Sequence, residues 1–75
     1  MTGEDLRAHL AHLDITKQEF SNVIGVTRRA LDMWLSNARA VPGPVAAYAS
    51  LLLKSPGEVT RIKMKRLDRH DQIHR

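Results

Sequence analysis

Two threonine-led helix starts, eleven residues apart with a glycine between them, constrain this chain more than any other feature. Thr16 stands three residues before Glu19. A threonine hydroxyl can accept from the backbone N–H three residues on, and a glutamate there can accept from the threonine's own N–H. The pattern predicts a helix from Lys17 to about Ile24, with Phe20, Val23 and Ile24 as its apolar stripe. Gly25 is the expected left-handed residue that ends it and permits a turn. Thr27 then caps a further helix, about Arg28 to Ser36.

The remaining segments carry helix signals as well. Thr2 and Asp5 form a weaker capping box before Leu6, Leu10 and Leu13, predicting a first helix over about Gly3 to Leu13. Pro42 stops anything helical in the 38–43 loop, with Gly43 expected as the next cap and Pro44 as the first helical residue. That fourth helix runs to about Lys54, with Val45, Tyr48, Ala49 and Leu52 inward. Ser55, Pro56 and Glu58 open a fifth helix, expected to end near Asp68. Arg61-Ile62-Lys63-Met64-Lys65 also alternates, which fits a short edge strand; the preceding cap signals favour helix. The expectation is an all-α fold, one domain over residues 1–68 and a basic flexible tail over 69–75.

Seventy-five residues bury only about 60% of the surface of the unfolded chain, which leaves such a domain marginal and prone to pair. There is no cysteine, so no disulfide and no thiolate metal site. The acidic start, Met1 to Asp5, lacks a signal-peptide core, and no apolar run reaches the roughly 20 residues of a membrane span. A cytoplasmic, nucleoid-associated bacterial or phage protein with no membrane contact is expected. The net charge is +4, and a basic balance suits a polyanion partner. Residues 1–53 are balanced: Arg7, Lys17, Arg28, Arg29 and Arg39 stand against Glu4, Asp5, Asp14, Glu19 and Asp32. The excess lies wholly in residues 54–75.

The third helix is the informative one. Successive residues advance by about 100°, so Leu31, Trp34 and Leu35 share one arc and Arg28, Arg29, Asp32, Met33 and Ser36 the opposite one. The first set should bury and the second should face water or a ligand. Two arginines in a first turn oppose the helix dipole by some tenths of a kcal/mol, at about 0.3–1 kcal/mol per charge. An anionic partner removes that conflict. An arginine at a helix tip can pair bidentately with guanine O6 and N7; an aspartate can orient it or accept from cytosine; a methionine can touch a thymine methyl. The 15–39 stretch therefore reads as a helix-turn-helix, with Arg28, Arg29, Asp32 and Met33 as base readers. Phosphate contacts are expected from Lys17 and Gln18 at the start of the second helix, from Thr27, and from Asn37 and Arg39 beyond the third.

Ile15-Thr-Lys-Gln-Glu-Phe-Ser, Val23-Ile-Gly-Val-Thr-Arg-Arg-Ala-Leu and Trp34 resemble the phage-repressor and Cro, or XRE-type, family of helix-turn-helix regulators over about Leu6 to Leu53. The resemblance implies a compact five-helix lambda-repressor-like domain that dimerises on a two-fold operator. It implies the same base readers, with Lys17, Thr27, Ser36, Asn37 and Arg39 as phosphate clamps. Three places depart from the pattern. Lys17 stands where the family usually has glutamine, Leu10 and Leu35 replace an arginine–glutamate pair, and Asn37-Ala38 replaces the glycine after the third helix.

Leu51, Val59, Ile62 and Arg66, with Met64 and Leu67 nearby, are the expected dimer interface; the competing reading is that the last helix closes the monomer. In a dimer the two reading helices would sit about 34–36 Å apart on a palindromic operator. No nucleophile lies beside a base in a recognisable motif, so no enzyme, cofactor or small-molecule ligand is expected. His9 with His12, and His70 with His74 around Asp71, have metal-compatible spacing but no fourth ligand, so no metal is expected. The expected function is a DNA-binding transcriptional regulator acting as a homodimer, a repressor or a controller of its own promoter. The rival is an antitoxin or anti-activator module that binds a protein through the apolar last helix.

Overall fold

The computed structural model describes the backbone of residues 1–73 and the side chains of residues 1–65. Three threonines start its first three helices. Helix α1 spans Gly3–Leu13, and the Thr2 hydroxyl accepts from Asp5 N–H while Asp5 accepts from Thr2 N–H. Helix α2 spans Lys17–Ile24, with the same reciprocal pair between Thr16 and Glu19 at 3.1 and 2.9 Å. Helix α3 spans Arg28–Leu35; Thr27 accepts from Ala30 N–H, and no side chain returns the bond. Gly25 ends α2 at φ 74°, as its sequence position requires. Asp14 ends α1 at φ 56°, a conformation that a short polar side chain tolerates better than most.

Helix α4 spans Gly43–Leu52 and helix α5 spans Pro56–Ile73. The expected fourth-helix start is corrected by one residue: Pro42 is the cap, and Gly43 and Pro44 are the first two helical residues. Pro42 has no side chain that can cap, and Pro44 carries no N–H that needs capping. The strand reading of 61–65 is excluded, because α5 runs straight through it. The helix also continues to Ile73, five residues past the expected end at Asp68, so 69–73 is helical backbone and not an irregular tail. No glycine or proline follows Gly57 to break it. Residues 74 and 75 lie outside the described residues. The fold is all-α, with no strand among the described residues.

The core gathers one face from every helix. Leu6, Leu10, Ile15, Phe20, Leu31, Trp34, Leu35, Ala49, Leu52 and Ile62 are buried, with Val23, Ile24, Val45, Tyr48 and Val59 packed against them. Phe20 is fully enclosed, worth about 1.5–3 kcal/mol relative to leaving the ring in water. Its ring lies 6.2 Å from that of Tyr48, which joins α2 to α4. Ser21 is the buried polar residue beside it, and its hydroxyl is satisfied by donating to Gln18 C=O at 2.9 Å. Helix α1 packs on α3 and α4, α2 on α3 and α5, and α4 on α5. Helix α3 is thus held from two sides with its remaining arc free.

Candidate nucleic-acid interface

The arcs expected on α3 are the observed ones. Leu31, Trp34 and Leu35 are buried, while Arg28, Arg29, Asp32 and Ser36 are exposed and Met33 is half-buried. Arg28 Nε lies 3.5 Å from Asp32 Oδ1. Arg29 has no ion-pair partner among the described residues. The first turn of α3 is therefore a small exposed basic surface, carrying two guanidinium groups and no carboxylate in that turn.

The proposed phosphate contacts fall into two groups. Lys17 opens α2 and lines a shallow cleft of about 220 Å³ whose other walls include Leu10, Ile15, Leu35 and Arg7. Arg7 lies on α1, outside the 15–39 stretch, and only folding brings it to this cleft. Gln18 is exposed, but its amide donates to Asn22 Oδ1 at 2.9 Å and approaches Ser21 Oγ at 3.4 Å. Thr27 is exposed with its hydroxyl oxygen committed to the cap.

The second group follows α3. Ser36 is its C-cap, and the hydroxyl donates to Met33 C=O at 3.2 Å. Asn37 adopts φ 63°, the left-handed conformation expected where the resembling family has glycine. Its side chain has a structural task that the sequence reading did not assign: Oδ1 accepts from Gly3 N–H at 2.8 Å. That leaves only its amide N–H groups for a phosphate. Arg39 is exposed, with its backbone N–H donating to Met33 C=O at 3.2 Å.

The dimer expectation needs correction at one residue. Ile62 is 4% exposed and belongs to the monomer core, and Val59 packs beside it. Burial of that stripe against α2 and α4 leaves nothing of Ile62 for a second copy. Among the described residues, the large apolar side chains left outside are Leu51 at 52%, Leu53 at 45% and Met64 at 59% exposed, besides Met1. The side chain of Arg66, like those of Leu67, His70 and His74, lies outside the described residues.

Two ionisable groups have displaced pKa values with a clear physical cause. Asp5 is lowered, first by the Thr2 backbone N–H and then by the Thr2 hydroxyl, both at the cap of α1. Tyr48 is raised, first by burial and then by the nearby charge of Glu58, with Arg61 opposing. Neither is on the exposed arc of α3. Among the described residues no group of three His, Asp or Glu side chains could hold a metal, and no helix is long and apolar enough to cross a membrane.

No family model, no curated protein and no solved structure matches this chain. The functional reading therefore rests on its own residues.

Proposed function

We propose that this chain is a sequence-specific double-stranded DNA-binding transcriptional regulator of the helix-turn-helix kind, a repressor or a controller of its own promoter. The observation that supports it most is the first turn of α3. That turn exposes Arg28 and Arg29 while Leu31, Trp34 and Leu35 anchor the helix from behind. Arginines at this place oppose the helix dipole, and a duplex supplies the charge that offsets them. Helix α3 would lie in the major groove with Arg28, Arg29, Asp32 and Met33 toward base edges. Lys17 and Arg39, on either side of α3 in the chain, would hold phosphates, with Arg7 beside Lys17 as a further cation.

The lambda-repressor-like arrangement and the homodimer on a palindromic operator belong to the same proposal. A chain with exposed Leu51, Leu53 and Met64 has apolar surface to bury against a copy. The same surface supports the second reading, an antitoxin or anti-activator that engages another protein. Salt dependence separates the two. Duplex binding should weaken linearly with log salt, at a slope of about −0.9 per neutralised phosphate. A fluorescent duplex selected from a random pool and titrated across salt concentrations reads that slope. Failure to select any duplex would end the DNA reading and leave the protein-binding one.

A further inference from the structure

The two arginines in the first turn of α3 are not equivalent in the free protein. Arg28 has a carboxylate beside it: its Nε lies 3.5 Å from Oδ1 of Asp32, one turn on. Helix stability gains little from that arrangement. Helices α1, α2 and α5 each carry an acidic residue in the first turn, where the dipole favours it; α3 and α4 have none, and α3 places two arginines there instead. A basic residue four positions before an acidic one is also the less favourable order within a helix. Both side chains are about half exposed, at 45% and 51%, so solvent screens the attraction.

We propose that Asp32 is a positioning residue for Arg28, and that the two read one guanine of the operator as a unit. This rests on the DNA reading above and adds to it the base that must stand at one position. A guanidinium has three nitrogens. Asp32 Oδ1 faces Nε at 3.5 Å, and neither Nη has a protein hydrogen bond among the described residues, so the Nη donors stay available to a ligand. Guanine presents two acceptors, O6 and N7, on its major-groove edge, and the fit is bidentate. Adenine offers N7 but a donor in place of O6, so a fixed fork loses half of its bonds there. Without Asp32 the same arginine is free to turn toward the phosphates, where every sequence looks alike. Arg29 has no such brace among the described residues, so its contribution does not depend on Asp32.

The test is selection from a randomised duplex pool with the full chain as wild type, Arg28→Ala and Asp32→Ala. Asp32 is exposed and supports no core contact, so the variant keeps the fold. The guanine preference that Arg28→Ala abolishes identifies the position. At that position Asp32→Ala should lose about tenfold of the preference for guanine, while the preferences at positions that Arg28→Ala does not affect are retained. Two outcomes overturn the proposal while leaving DNA binding in place. Asp32→Ala retains the full guanine preference, or it instead loses a cytosine preference at a different position, which would make Asp32 a reader in its own right. A wild-type chain that enriches no sequence overturns the DNA reading itself, and this proposal with it.

Discussion

Gly3 N–H donates to Asn37 Oδ1 at 2.8 Å, tying the first turn of α1 to the residue just beyond the end of α3. The contact is close on the backbone side as well. A Cβ at Gly3 would lie 2.2 Å from Trp34 C=O and 2.7 Å from Leu35 C=O. The N-terminal end of α1 therefore faces the last carbonyls of α3, and the opposed partial charges attract. Asn37 completes the junction by holding φ 63° while its side chain reaches across. The orientation of α3, and of the arginines at its other end, is set partly here.

Two substitutions at Asn37 separate its two tasks. Asn37→Gly keeps the left-handed backbone and loses the side-chain bond, at about 0.5–1.5 kcal/mol. Asn37→Ala loses the bond and adds the left-handed penalty of about 1–2 kcal/mol. Gly3→Ala should cost about 1–3 kcal/mol, because backbone rather than a flexible side chain must yield. Urea midpoints should rank Asn37→Gly above Asn37→Ala. Equal midpoints would mean that the backbone conformation is not under strain at this site.

Base reading and phosphate contact should separate by substitution. Arg29→Ala is expected to relax preference at one operator position by about 1–3 kcal/mol. Lys17→Ala should instead weaken all duplexes alike and reduce the salt slope by about 1. Arg7→Ala should resemble Lys17→Ala, since both side chains line the same cleft. Competition titrations with matched and mismatched duplexes distinguish the two patterns. Uniform loss for Arg29→Ala would move that residue to the phosphates.

The helices were legible because their punctuation is local. Thr2, Thr16 and Thr27 each cap through a residue three positions away, and Gly25 acts through its own φ. The buried arc of α3 was equally legible, since Leu31, Trp34 and Leu35 share a face by helical geometry alone. What was not legible depends on pairs distant in sequence. Nothing local distinguishes an Ile62 that closes a monomer from one that meets a copy; α2 and α4 had to be placed first. The bond between Asn37 and Gly3 spans 34 residues. One hint was available: a glycine inside a capped first turn costs about 1 kcal/mol against alanine and calls for a packing reason. Polar composition hides the length of α5, because it fits irregular backbone as well as an exposed helix; the absence of a breaker after Gly57 is what allows the helix to reach Ile73.

Tyr48 provides a pH dependence with a definite sign. Burial raises its phenol above the ordinary 10.0, and Glu58 adds to the rise while Arg61 opposes it. A folded-state value above the unfolded one gives a contribution that is fully present below the unfolded pKa. It is lost as pH rises through the folded value. Tyr48→Phe keeps the ring against Phe20 and removes the ionisation. Denaturant titrations should show wild type losing more stability than Tyr48→Phe as pH rises past the ordinary 10.0. Parallel losses in the two proteins would place the phenol in solvent.

Ile62 and Leu51 should respond in opposite ways when stability and association are measured together. Ile62 is enclosed by the monomer, so Ile62→Ala leaves a cavity and should cost about 2–5 kcal/mol, a large share of what a domain this small can hold. Leu51 is 52% exposed at the end of α4, so Leu51→Asp leaves the packed core untouched. If a second copy covers that surface, the aspartate places an unpaired charge in the contact and dissociates the dimer. Sedimentation velocity over a concentration series should then show Leu51→Asp as a folded monomer with an unchanged helical circular dichroism spectrum. A Leu51→Asp chain that associates as wild type does would remove the end of α4 from the interface, leaving Met64 on α5 as the surface to test next.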